Sequence, residues 1–190
     1  EELMLRYKAG DLPAFEELLK RHRRAIFHFC LRSLGNPSAA EDALQEIFIR
    51  VIRHAPTWEQ KAKFKTWLFT IARNHCIDEA RKNAFRRTDS LDAPLKEEEG
   101  SATRGDMVAS DAPGADVNTD GIRIRAALDA ALARLPDEQR EVFHMREHAG
   151  VQFKEIAEIT GVSENTVKSR MRYALETIRK EFLARGITPG

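Results

Sequence analysis

Long apolar runs are missing from this chain of 190 residues. No stretch approaches the ~18 uninterrupted apolar residues that a membrane helix needs, and no charged start followed by an apolar core marks a secretory leader. A chain without membrane insertion, working in the cytoplasm, is expected. Its opening on Glu1 rather than Met leaves room for further sequence before it. Cysteine is nearly absent. Cys30 and Cys76 both fall inside apolar helical patterns, which argues for reduced thiols and against a disulfide framework. Catalytic signatures are missing too: there is no glycine-rich phosphate loop, no nucleophile elbow and no Cys-x-x-Cys. His144 and His148 stand four apart without a third ligand, and His75 beside Cys76 reads as core packing. The expectation is therefore a protein with no enzyme activity, no metal and no cofactor. Alternating strand patterns of useful length do not occur either, so the fold class is all-α.

An excess of one charge is also lacking. There are 31 Lys plus Arg against 30 Asp plus Glu, net +1, which as a total argues against nucleic acid. The distribution along the chain reverses that argument. Residues 1–85 hold 15 basic and 11 acidic side chains, residues 86–121 hold 4 and 9, and residues 122–190 hold 12 and 10. The middle segment also gathers Gly100, Gly105, Gly114, Gly121, Pro94 and Pro113 with few large apolar residues. Such a stretch cannot bury enough surface to offset its ordering entropy. The expected layout is two small helical domains, 1–85 and 122–190, joined by a flexible acidic linker, 86–121.

In the first lobe a short helix with Leu3, Met4 and Tyr7 ends at Gly10. A second carries Phe15, Leu18, Leu19, Ile26, Phe29, Cys30 and Leu34 on one face and stops at Gly35-Asn36-Pro37. Ser38 is the expected N-cap of a third, whose apolar stripe is Ala40, Leu44, Ile47, Phe48, Val51 and Ile52. Its polar side presents Glu41, Asp42, Gln45 and Glu46, which suits either helix stabilisation or protein docking. A loop from Thr57 to Lys63 precedes a fourth helix, about Phe64 to Ala84, with Phe64, Leu68, Ile71 and Ala72 inward. Lys63, Trp67, Thr70, Asn74 and Arg81 share one sector of that helix, and Lys61, Lys65, Arg73 and Lys82 lie nearby. An aromatic among cations, with an amide two turns on, is a means of stacking and reading unpaired bases; covering the core edge is the plainer alternative.

The second lobe is expected to form helices near 122–134, 137–148, 152–160 and 163–184. Small Ala157 lets two helices approach, Gly161 permits the tight turn, and Val162, Val167 and Met171 seal the pair, which is the pattern of a helix-turn-helix. In its second helix Val167, Met171, Leu175, Ile178 and Phe182 are expected to point inward. The other face offers Asn165, Ser169, Arg172, Tyr173 and Glu176, flanked by Thr166, Lys168 and Arg170. Arg and Asn suit guanine and adenine edges; Lys, Ser and Thr suit phosphates.

Taken in order, Ser38, Glu41, Asp42, Gln45, Glu46 and Phe48, then Phe64, Trp67, Arg73 and Asn74, then Leu135-Pro136 and Phe143, then Asn165 to Arg170 resemble a bacterial extracytoplasmic function (ECF) sigma factor. The resemblance covers both lobes. It implies an alternative transcription initiation factor that binds core RNA polymerase, including its β′ clamp helices and β flap. The β′-docking residues would be Glu41, Asp42, Gln45, Glu46 and Phe48. Lys61, Lys63, Phe64, Trp67, Thr70, Arg73, Asn74 and Arg81 would melt the −10 promoter element and capture a base. Arg146, Asn165, Thr166, Lys168, Ser169, Arg170, Arg172 and Tyr173 would read the −35 element. Arg172-Tyr173 departs from the aromatic-arginine order common in the family, so the base preference there does not transfer. An anti-sigma factor partner is also implied.

The resemblance gives the linker a task. As a free coil of ~35 residues it would average about 30–35 Å end to end, against roughly 70–80 Å between promoter elements. Fully extended it reaches at most about 120 Å. The polymerase's basic channel is expected to hold it stretched. The rival reading is a dimeric repressor or activator that binds duplex DNA through the second lobe alone.

Overall fold

A computed structural model describes residues 1–90 and 119–188; the acidic linker expectation falls largely outside them. The described residues form helices and turns without strands. In order they are α1 (Glu2–Lys8), α2 (Leu12–Leu34), α3 (Pro37–His54), α4 (Phe64–Ser90), α5 (Thr119–Arg134), α6 (Asp137–Phe143), α7 (Phe153–Thr160) and α8 (Glu164–Ala184). A 3₁₀ turn, Ala55–Thr57, follows α3, and a π-helical turn, His144–His148, continues α6.

The ends of these helices follow local chemistry. Gly35 closes α2 in the left-handed conformation, φ 70°. The cap of α3 is Asn36 and not the expected Ser38: Asn36 Oδ1 accepts from Ala39 N at 3.1 Å. Pro37 has no N–H to donate and a preset φ, so it takes the first helical position and moves the cap two residues earlier, to Asn36. Helix α4 continues to Ser90, past the expected end near Ala84, and α5 starts at Thr119, ahead of residue 122.

In the first lobe α2, α3 and α4 pack around Met4, Ile26, Ile47, Leu68 and Phe69, all without exposed surface. Phe29 meets Phe69 edge to face at 5.5 Å. In the second, α5 and α6 lie against α8 over Val142, Met145, Ile156, Val167 and Ala174. Two stripe positions differ from expectation. Ile52 on α3 and Leu175 on α8 are exposed, while Ala43 and Ala174 are buried in their place. The small residues lie where neighbouring helices come close, which rotates the buried sector by one position.

The two lobes touch. Helix α4 packs on α7, and α2 packs on the π-helical turn.

Candidate nucleic-acid interface

The helix-turn-helix forms at the expected residues. Helix α7 begins with Gln152 N donating to Glu155 Oε2 at 3.0 Å and ends at Gly161, whose φ of 72° needs glycine's freedom. Ser163 then caps α8, accepting from Thr166 N at 3.1 Å. This local chemistry aims the polar face of α8 outward. Asn165, Thr166, Lys168, Ser169, Arg172 and Tyr173 are exposed, and Arg172 stacks its guanidinium over the Tyr173 ring at 4.9 Å. Arg170 is half-buried and lies 4.0 Å from Glu138. Arg146 is turned inward: its guanidinium covers Phe153 at 4.9 Å and donates to Val151 O at 3.3 Å. It braces the start of α7 here.

In the first lobe Trp67 is half-buried, tilted against Phe64 at 5.9 Å and Trp58 at 6.3 Å. Trp58, Trp67, His54, Thr57, Glu59, Lys61 and Ala62 wall an open cleft of about 380 Å³, in which Lys61 pairs with Glu59 at 2.6 Å. Trp58 was not among the sequence candidates, because it belongs to an irregular loop where no periodicity marks a face. Its carbonyl accepts from Lys8 Nζ at 2.6 Å, which ties the loop to α1. Phe64, at 2% exposure, lies inward as its stripe implies and backs Trp67 from the core. Phe48, at 6%, is likewise core, edge-on to Phe15 at 6.4 Å, and cannot itself dock on a partner. Around it Glu41, Asp42 and Gln45 are exposed, and Glu46 is half-buried and paired with Arg50 at 3.1 Å. Thr70 spends its hydroxyl on Thr66 O at 2.9 Å, while Asn74 and Arg81 are exposed.

The remaining cations of the first-lobe site contact the second lobe. Lys63 Nζ meets Glu155 Oε1 at 2.6 Å, and Arg73 Nε meets Glu141 Oε1 at 2.7 Å. Lys65 Nζ donates to the carbonyls of Ala149 and Gly150. Arg32 and Asp129 add a further pair at 3.4 Å. Burial pushes the Glu155 carboxyl up, but the Lys63 ammonium and the Gln152 N–H outweigh it and leave it below the usual range. For Glu141 the balance goes the other way: burial holds its carboxyl above the usual range despite Arg73. Periodicity flagged the cations of these pairs but not the acids. Glu141 and Glu155 stand at polar positions of their own helices, and only the packing of the lobes gives them partners. Among the described residues no cluster of His, Cys, Asp and Glu could hold a metal, and no helix is long and apolar enough to cross a membrane.

Comparison with known proteins agrees with this geometry. Residues 18–86 match the family model for sigma-70 region 2, and residues 125–178 match that for sigma-70 region 4. The chain is 32% identical over 176 residues to the ECF RNA polymerase sigma factor SigW of Bacillus subtilis, covering 92% of both chains. It is 30% identical over 186 residues to the ECF sigma factor SigL of Mycobacterium tuberculosis, covering 95% of both. Its fold is similar to that of the sigma factor RpoE in complex with the anti-sigma factor NepR from Bartonella quintana: TM-score 0.67, 23% identity, 88% of this chain and 96% of that one. It is also similar to CnrH in complex with the cytosolic domain of CnrY: TM-score 0.66, 20% identity, 96% of each chain. With both sigma-70 segments in order and nearly the full length aligned at such identity, the chain belongs to the ECF family of RNA polymerase sigma factors.

Proposed function

We propose that this chain directs core RNA polymerase to a specific set of promoters, reading the −35 element as duplex and capturing the −10 element as single strand. The observation that carries the reading is the outward face of α8. Asn165, Lys168, Ser169 and Arg172 stand exposed on the second helix of a helix-turn-helix, where side chains reach base edges and phosphates of a major groove. In the first lobe, the cleft has the partly exposed Trp67 ring, backed by the buried Trp58, as a stacking wall for an unstacked base, with Lys61 and its partner Glu59 at the rim. The exposed acids Glu41 and Asp42 on α3 supply a docking face for the polymerase β′ clamp helices, and the second lobe a site for the β flap.

On this reading the closed arrangement is a resting form. Lys63, Lys65 and Arg73 are engaged by the second lobe, so promoter phosphates compete with Glu155 and Glu141 for Lys63 and Arg73, and with the Ala149 and Gly150 carbonyls for Lys65. Polymerase and DNA draw the lobes apart; an anti-sigma factor, of the kind bound to the Bartonella quintana sigma factor RpoE, holds them unavailable.

Purified chain added to core polymerase with a promoter library tests this. Promoter-specific transcripts that require both components are expected. A chain that binds palindromic duplex DNA as a dimer, and never directs initiation, would establish the rival repressor reading instead.

A further inference from the structure

Where the second lobe meets α2, an imidazole is buried without a counter-charge. His144 opens the π-helical turn that packs on α2, and it is only 6% exposed. Among the described residues its Nδ1 has no hydrogen-bond partner. The ring stacks on that of the more exposed His148, with centroids 5.2 Å apart, and Phe143 stands edge-on to both at 5.9 Å.

The charges around this ring are arginines whose carboxylates are already engaged. His144 borders a cavity of about 350 Å³ between the lobes, with Arg32 from α2, Arg73 and Cys76 from α4, and Arg140 from α6. Arg73 holds Glu141 at 2.7 Å, Arg140 holds Asp137 at 2.7 Å, and Arg32 holds Asp129 of α5 at 3.4 Å. Glu138, the other acid on the cavity wall, is 65% exposed and lies 4.0 Å from Arg170 of α8. On the far side of the ring pair, His28 and Arg32 of α2 face His148, and Glu147 of the turn itself is exposed. A proton on His144 would therefore be a buried charge among guanidiniums, and each carboxylate on the wall already faces an arginine. Moving α2 away from the turn opens the ring to water and removes that cost.

We propose that His144, with His148 stacked on it, is an acid-sensitive catch on lobe closure: neutral rings let the π-helical turn seat against α2, and protonation drives the lobes apart while each keeps its own fold. The catch needs neither polymerase nor DNA. Its sign follows from burial, which with His148, Arg32 and Arg140 pushes the His144 imidazole down to about 3 from 6.5. The open form thus takes up the proton first. The contribution of the neutral ring to closure is complete above pH 6.5 and is lost as pH falls from there toward 3. His148, also lowered, adds in the same direction. Glu141 opposes them, because burial holds its carboxyl above the usual range and its protonation favours the closed form.

The test follows the distance between fluorophores on the two lobes of the full-length chain at pH 7.5 and 5.5, at constant ionic strength. Far-UV circular dichroism is recorded on the same samples. Acid is expected to lengthen the distance with helix content unchanged, and return to pH 7.5 to reverse it. The open-to-closed ratio should rise severalfold, with about tenfold as the ceiling for a ring that regains its ordinary value on opening. His144→Gln, which cannot take the charge, should lose most of this response. A response as large in that variant as in the wild type would overturn the proposal. So would a distance that does not change with pH, or one that lengthens only as helix is lost; both are wild-type measurements that do not depend on the variant folding.

Discussion

Glu155 serves two elements at once: one carboxylate oxygen accepts from Gln152 N at the start of α7, and the other receives Lys63 Nζ from the first lobe at 2.6 Å. A residue that starts the first helix of the helix-turn-helix thus also secures a cation of the proposed −10 site. The Arg73–Glu141 pair repeats the arrangement two to three turns further along α4. On the proposed function, both acids hold cations that promoter phosphates would need. This gives the closed form a simple electrostatic basis.

Glu155→Gln keeps an acceptor for the α7 start and removes the charge facing Lys63. The distance between fluorophores on the two lobes should shift toward longer values at low salt, with about a twofold rise in the open population. Added salt should produce the same shift in the wild type and a smaller one in the variant, in which only the Arg73–Glu141 and Arg32–Asp129 pairs remain to be screened. A variant that stays as closed and as salt-sensitive as the wild type would show that the pair does not hold the lobes.

Trp67→Ala should impair promoter opening more than closed-complex binding. The ring forms one wall of the aromatic cleft, and stacking of an unpaired base contributes about 1–3 kcal/mol. Permanganate footprinting of the −10 region reads melting directly. Normal melting with this variant would exclude Trp67 from base capture.

On α8, two substitutions should separate reading from steering. Asn165→Ala is expected to cost about 1–3 kcal/mol and to relax preference at one base pair. Lys168→Ala should weaken binding evenly across sequences and lower the salt slope of polymerase–promoter affinity by about one. Affinities measured over a promoter library at several salt concentrations distinguish the two patterns.

His144 sets the acid limit of stability. Burial, then the stacked His148 ring, Arg32 and Arg140, push its imidazole down to about 3, from 6.5 in the unfolded chain. His148 is lowered as well, by burial, with Arg32 and His28 facing it. The unfolded chain therefore binds the proton first. The contribution of neutral His144 is complete above pH 6.5 and is lost as pH falls from there toward 3. At pH 5.5 the loss from this group is about 1.4 kcal/mol relative to neutral pH. Urea midpoints at pH 7.5 and 5.5 should show it, and His144→Leu should remove that part of the slope.

The amino-acid sequence by itself determined the all-α class, the helix-turn-helix with Gly161 and Ser163 at its turn, and the outward polar face of α8. These follow from periodicity and capping, which act over a few residues and depend little on what lies elsewhere. The cap of α3 was legible in the same local terms, once Pro37 is given the first helical position that leaves Asn36 to cap it. Tertiary structure decided the rest. Periodicity placed Phe48 and Phe64 on inward stripes, where they are buried, but it placed Ile52 there too, and only the packing of the helices leaves Ile52 exposed. Trp58 became a cleft wall through a loop without periodicity. Glu141 and Glu155 found Arg73 and Lys63 across sequence separations that no local pattern spans. A side chain's own helix fixes the face it occupies; what stands opposite that face is fixed by how the helices and lobes pack.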